Sequence, residues 1–231
     1  MQVSGGHAVF QLCGWLVFFL RFFRLIRLFL FALSALLCFK NTAFALDIDE
    51  IVVSEKAGVY YINISGNIAA KEEYVRQVLT DYIHVYRLSD SIIESKVLES
   101  SSDEKVRVQS LVLCCTTVFC REVMRVDEIT VLRSGDIQAV IIPEQSDFSS
   151  GTAVWKIAAK GQATRLTYIA NIEPDFFIPP ALGRKMVIDN IREEFATMFC
   201  RIELIASINE ARERDKDAAF VNIDRGQCRK S

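Results

Sequence analysis

The sequence predicts an α+β domain in which a curved antiparallel sheet of about seven strands wraps around one long C-terminal helix. Three observations carry this. Six β-rich runs follow one another between residues 91 and 172, a single strand and a helix precede them, and a long amphipathic helix closes the domain. The connectors between the later runs are short, which is possible only between antiparallel neighbours.

Val59 to Ile68 reads as the first strand, with Gly66 and Asn67 near its end. Lys71 to Tyr82 puts Tyr74, Val75, Val78, Leu79 and Tyr82 at the three-and-four spacing of a helix face. Ile83 to Asp90 is less regular and allows a helical turn or two. Ile92 to Leu98, Val106 to Cys115, Val118 to Leu132, Ile137 to Ile142, Thr152 to Ala158 and Arg165 to Ile172 then read as strands. Ser134-Gly135-Asp136 and Lys160-Gly161-Gln162 are hairpin-like connectors between them.

The last helix is expected to begin after Pro179-Pro180 and to run to about Ala211. Val187, Ile188, Ile191, Phe195, Met198, Phe199, Ile202 and Ile205 form its apolar stripe, and Lys185, Asp189, Arg192, Glu193, Arg201 and Glu210 its charged face. A helix of this kind covers a sheet. The space between them is either a pocket or a filled core, and alternation of residues does not separate the two.

Ahead of this domain, Arg21, Arg24 and Arg27 precede an apolar run from Leu28 to Phe39, and Ala43-Phe44-Ala45 has the small residues at first and third place that signal peptidase accepts. Residues 1–45 are therefore expected to be a signal peptide and the product to be exported, periplasmic or secreted. The alternative is an uncleaved anchor to the inner membrane, lengthened by the second apolar run from Val9 to Leu20. Neither run alone reaches the roughly 20 residues that span a bilayer. Residues 46–212 form the domain, and residues 213–231 are expected to be a polar tail.

The leader holds four of the 27 basic residues and none of the 29 acidic ones, so 23 basic residues remain against 29 and the mature charge is −6. An acidic domain without a basic block argues against nucleic acid as a partner. Five cysteines remain: Cys114, Cys115, Cys120, Cys200 and Cys228. Export permits a disulfide, but the clustered Cys114, Cys115 and Cys120 read better as small buried residues on strands. They lack the C-x-x-C pair of zinc sites.

No metal or cofactor is expected, since no Gly-rich phosphate loop occurs and His84 is the one histidine outside the leader. Its place after Asp81-Tyr82 suits a surface or capping role. A catalytic acid or base would come from Asp147, Glu173, Asp175, Arg165 or Tyr168 near the late strands, and each also reads as a solvated strand-end residue or, for Tyr168, an ordinary buried tyrosine.

The order of elements resembles that of the START-like, or helix-grip, superfamily (SRPBCC), which includes the polyketide cyclase/dehydrase and coenzyme Q-binding groups. Val78-Leu79-Thr80-Asp81-Tyr82 followed by Ile92-Ile93-Glu94-Ser95-Lys96-Val97-Leu98 is similar to the first helix of that superfamily leading into a strand. Phe148, Trp155 and Tyr168 stand where its late strands carry aromatics, and Pro174-Asp175-Phe176-Phe177-Ile178-Pro179-Pro180 resembles the entry to its final helix.

The resemblance spans Asp47 to Ala211 and implies an apolar cavity for a lipid, quinone or polyketide-like molecule. Phe148, Trp155, Tyr168, Phe176, Phe177, Ile191, Phe195 and Met198 are the candidate wall residues. The long helix and the Pro-rich segment would form the lid side. Binding or transport of a hydrophobic small molecule is the expected function, with membrane association through the N-terminal segment. A cyclase or aromatase using a carboxylate in the cavity and a ligand-free interaction module are the alternatives.

Overall fold

The computed structural model describes residues 47–102, 105–115, 120–178, 183–214 and Cys228. The leader, the start of the last helix at Pro179-Pro180 and the polar tail apart from Cys228 lie outside the described residues. In chain order the elements are β1 (Asp47–Lys56), β2 (Val59–Ile68), α1 (Glu72–Thr80), a 3₁₀ turn (Tyr82–Arg87), β3 (Ile92–Ser102), β4 (Lys105–Cys115), β5 (Cys120–Val131), β6 (Ile137–Ile141), β7 (Phe148–Lys160), β8 (Ala163–Pro174) and α2 (Gly183–Arg214).

The strands form one sheet in the order β1-β2-β8-β7-β6-β5-β4-β3, antiparallel at every junction. There are eight strands and not about seven. The additional one is β1, whose apolar alternation is broken by a register shift between Ile48 and Glu50. It joins β2 through Ala57 and Gly58, both at positive φ (54° and 87°), the backbone of a tight primed turn. The Gly58 amide is held by the Glu55 carboxylate at 2.8 Å.

Register aligns the inner face of the sheet. Ile51, Ile64, Tyr168, Trp155 and Ile137 stand in one row across five strands. Against this face α2 lays Phe199, Ile202 and Ala206, all fully buried, with Ile188, Ile191, Phe195, Met198 and Ile205 partly buried beside them. Helix α1 turns Tyr74, Val75, Val78 and Leu79 into the same core. The Ala69 amide donates to the Glu203 carboxylate of α2 at 2.9 Å, and Thr164 Oγ1 of β8 donates to the Ala70 carbonyl at 2.7 Å. These bonds fix α1 at one end of the sheet.

The charged face expected for α2 needs one correction. Arg201 is buried, at 2% exposure, with Nη2 2.8 Å from Asp90 Oδ2. The chain leading into β3 passes this side of the helix, where Ser89 Oγ also donates to Glu194. A guanidinium at that position is enclosed by the passing chain instead of by solvent.

The cysteines also depart from expectation. Cys115 and Cys120 face each other across the end of the β4–β5 hairpin and are joined in a disulfide, and a second disulfide links Cys200 to Cys228. Cys114 alone follows the reading as a half-buried strand residue with a free thiol. The tight hairpin register, which brings Cys115 opposite Cys120, is what a linear reading of three neighbouring cysteines did not show.

Candidate functional site

A cavity of about 580 Å³ lies between the inner face of the sheet and the first half of α2, at the end of the domain where β4 and β8 finish. Its walls are mostly aliphatic and aromatic: Ile62, Val112 and Ile172 from the sheet, Phe148 and Phe176 at one side, Val187, Ile191 and Phe195 from the helix. This size is in the range of sites that enclose small-molecule ligands. The remainder of the helix–sheet interface, from Phe199 onward, is filled by the main core.

Five of the candidate wall residues line the cavity: Phe148, Tyr168, Phe176, Ile191 and Phe195. Trp155 stands behind them, its ring 4.4 Å from that of Tyr168 and 5.9 Å from that of Phe199. Met198 packs against the main core. Phe177 is 71% exposed. Phe176, by contrast, meets Phe148 edge-on at 5.7 Å and lies beneath the Arg121 guanidinium at 5.2 Å, so the two neighbouring phenylalanines have opposite environments.

Two charged residues on the inner face of the sheet, one of them lining the cavity, were absent from the sequence reading. Arg125 and Asp127 are two apart on β5, so both point to the inner face. Arg125 Nε and Nη2 donate to the two Asp127 oxygens at 2.8 and 3.0 Å. Arg125 lines the cavity beside Tyr168. Burial works against the Arg125 charge, but Asp127 and the Tyr168 hydroxyl more than offset it, and its pKa stays above the ordinary value. Burial pushes the Tyr168 hydroxyl up, so it remains a neutral O–H at physiological pH.

The signal for this pair was present in the β5 text, where Val123, Arg125, Asp127 and Ile129 alternate onto one face. Two opposite charges between apolar residues on an inward face are a buried pair or nothing.

The polar residues singled out near the late strands have other partners. Asp147 accepts the Met124 amide at 2.6 Å, Glu173 accepts the Ser150 hydroxyl at 3.0 Å, and Arg165 pairs with Asp49 and donates to Ser65 Oγ at 2.9 Å. Asp175 is exposed. None of these four lines the cavity. His84 Nδ1 lies 2.8 Å from Asp81 Oδ1 at the end of α1, a local bond in a half-exposed turn.

The helix side of the cavity carries Asn190, Glu193 and Glu194, and the Asn190 amide donates to the Cys115 carbonyl at 3.3 Å. Cys114 also lines the cavity, and burial pushes its thiol up. Among the described residues no group of three or more His, Cys, Asp or Glu side chains could hold a metal ion.

An antiparallel open sheet with a long C-terminal helix is consistent with the helix-grip arrangement. The chain has the START-like helix-grip fold. A protein from Thermus thermophilus superposes with a TM-score of 0.55 at 15% identity, over 64% of this chain and 98% of its own. A START superfamily protein from Mycobacterium smegmatis gives 0.50 at 14% identity, over 63% and 98%. A STAR-related lipid transfer protein from Xanthomonas axonopodis gives 0.49 at 15%, over 70% and 99%. No family model and no curated protein matches the sequence. At such identities the START-like likeness concerns the fold, and the cavity residues must speak for themselves.

Proposed function

We propose that the domain binds a hydrophobic small molecule in the cavity between the sheet and α2 and shields it from water during storage or transfer. The observation that carries this is the unfilled apolar space of about 580 Å³ beside a core that is otherwise closed. Concave, mostly apolar sites of this size are where proteins bind small molecules. Each Å² of apolar surface removed from water contributes roughly 25 cal/mol to affinity.

The two alternatives need features that this site does not favour. A cyclase needs an inward carboxylate free to move a proton; Asp127 has both oxygens on Arg125, and of the two carboxylates that line the cavity Glu194 accepts the Ser89 hydroxyl and Glu193 is exposed. An interaction module needs no cavity at all. The leader and the two disulfides support work in an oxidising compartment outside the cytoplasm.

The test is native mass spectrometry of the domain purified from its own host under mild conditions, with solvent extraction of any adduct. A stoichiometric apolar molecule is the expected result. An empty protein that also fails to bind a panel of lipids and quinones would remove the binding reading and leave the interaction module.

A further inference from the structure

We infer that the outward face of α2 is a docking surface for the chain's own C-terminal segment, residues 218–223, drawn back along the helix and held there by the Cys200–Cys228 disulfide.

Helix α2 is apolar on two faces. Phe195, Phe199, Ile202 and Ala206 face the sheet. Cys200, Leu204 and Ile208, spaced four apart, fall on the opposite side of the helix. None of these three lines the cavity. Among the described residues Leu204 and Ile208 belong to neither apolar core, yet both are half-buried. The stripe runs between two flanks. On one side Glu203 and Ser207 bond to the backbone of Ala69 at 2.9 and 3.3 Å, and on the other Glu194 and Arg201 meet Ser89 and Asp90. A helix that is apolar all round is covered all round, and the sheet covers one face only.

The occupant follows from the covalent geometry. Cys200 belongs to the stripe, so its disulfide partner Cys228 rests on the stripe as well. Residues 215–227 join the end of α2 at Arg214 to that anchor. The return from Arg214 to Cys200 covers about 21 Å of helix, and the chain available reaches about 46 Å when extended. The one apolar run in it is 218–223, with Phe220, Val221 and Ile223, bounded by Asp215-Lys216-Asp217 and Asp224-Arg225. Ile223 is within about 17 Å of chain from Cys228, and Ile208 stands about 12 Å along the helix from Cys200. Run and stripe are within reach of each other, and a short tether holds them at an effective concentration in the millimolar range, so few contacts suffice. A second copy or a lipid surface would also be an apolar cover, but neither is bonded to the stripe.

The test is chymotrypsin cleavage after Phe220 in the disulfide-bonded protein, read by mass after reduction, against a synthetic peptide of residues 215–227. Cleavage of a docked segment tracks the fraction that is undocked, so the protein is expected to be cut about tenfold or more slowly than the peptide. Leu204→Ser with Ile208→Ser, which leaves the disulfide in place, is expected to speed the cut several-fold. Ile223→Ser, in the segment itself, is expected to do the same and serves where the helix variant fails to fold.

A wild-type protein cut as fast as the peptide overturns the inference. So does slow cutting that either variant, once folded, leaves unchanged, because closure of the loop by the disulfide alone then accounts for it. Protection that appears only as protein concentration rises, together with a dimer by light scattering, gives the stripe to a second copy. Protection that requires phosphatidylcholine vesicles gives it to a lipid surface, and either result overturns docking of the segment.

Discussion

Arg125 and Asp127, two residues apart on β5, form a two-point ion pair on the inner face of the sheet, at 2.8 and 3.0 Å, and Arg125 lines an apolar cavity. Such a pair is costly to break and often inexpensive to replace whole, because removing one partner strands a buried charge. Arg125→Met is therefore expected to lower unfolding stability by about 3 kcal/mol. Arg125→Met with Asp127→Leu should recover most of that loss. Chemical denaturation of the two variants measures this, and a double variant no more stable than the single one would contradict it.

Arg201 gives a related prediction with a different partner. It is buried on α2 with Asp90 as its ion-pair partner, and Asp90 is partly open to solvent. Asp90→Ala should cost about 1–2 kcal/mol, less than a fully enclosed pair because solvent already screens the carboxylate. Arg201→Met, which fills the same space without a charge, should be neutral or stabilising in a thermal melt.

The neighbouring aromatics separate cavity from core. Phe199→Ala removes a fully buried ring from the centre of the helix–sheet interface and should cost about 3–5 kcal/mol. Phe177→Ala, at a ring that is 71% exposed, should change stability by less than about 0.5 kcal/mol. A comparable loss at both positions in urea unfolding would contradict an exposed Phe177.

The two disulfides close loops of different length, so their removal should not be equivalent. Cys200 and Cys228 are 28 residues apart and Cys115 and Cys120 are five apart. On the chain-entropy argument, Cys200→Ser with Cys228→Ser should cost about 3.5 kcal/mol, and Cys115→Ser with Cys120→Ser about 2 kcal/mol. Thermal unfolding of both double variants tests the order.

Cys114 offers a probe of occupancy. Burial raises its thiol pKa, so little thiolate is present at mildly alkaline pH, and alkylation should be slower than for a free cysteine. The side chain lines the cavity, so saturation with a bound apolar ligand should slow alkylation further, read by intact-mass kinetics. Raising the pH should speed the reaction in the empty protein as the thiolate fraction grows. An alkylation rate indifferent to ligand would place the ligand elsewhere.

Much of the fold was legible because the elements obey strong periods. The α2 stripe, the α1 face from Tyr74 to Leu79 and the hairpins at Gly135 and Gly161, both at positive φ, all follow local rules. β1 escaped because its bulge between Ile48 and Glu50 breaks the alternation that a strand is recognised by.

The site was legible only in part. The family resemblance and the α2 stripe picked out Phe148, Tyr168, Phe176, Ile191 and Phe195, yet they could not separate Phe176 from the exposed Phe177 next to it. Arg125 and Asp127 lie within β5, whereas the strand-end positions that stood out in the sequence, Asp147, Glu173 and Arg165, have structural partners. Whether a charge on a strand faces inward depends on register, and register is set by pairing across the sheet. Arg125 and Tyr168 interact although β5 and β8 have two strands between them, a closeness that only the folded sheet creates.

Filling the cavity is the most direct test of ligand binding between sheet and helix. Val112 of β4 lines the cavity and is half-buried, so Val112→Trp should occupy space meant for the ligand. Titration of wild type and variant with one environment-sensitive apolar fluorophore is the measurement, with a thermal melt of both proteins alongside. Binding should weaken by about tenfold or more with the melting temperature unchanged or raised. Undiminished binding by a well-folded Val112→Trp protein would contradict a ligand site in this cavity.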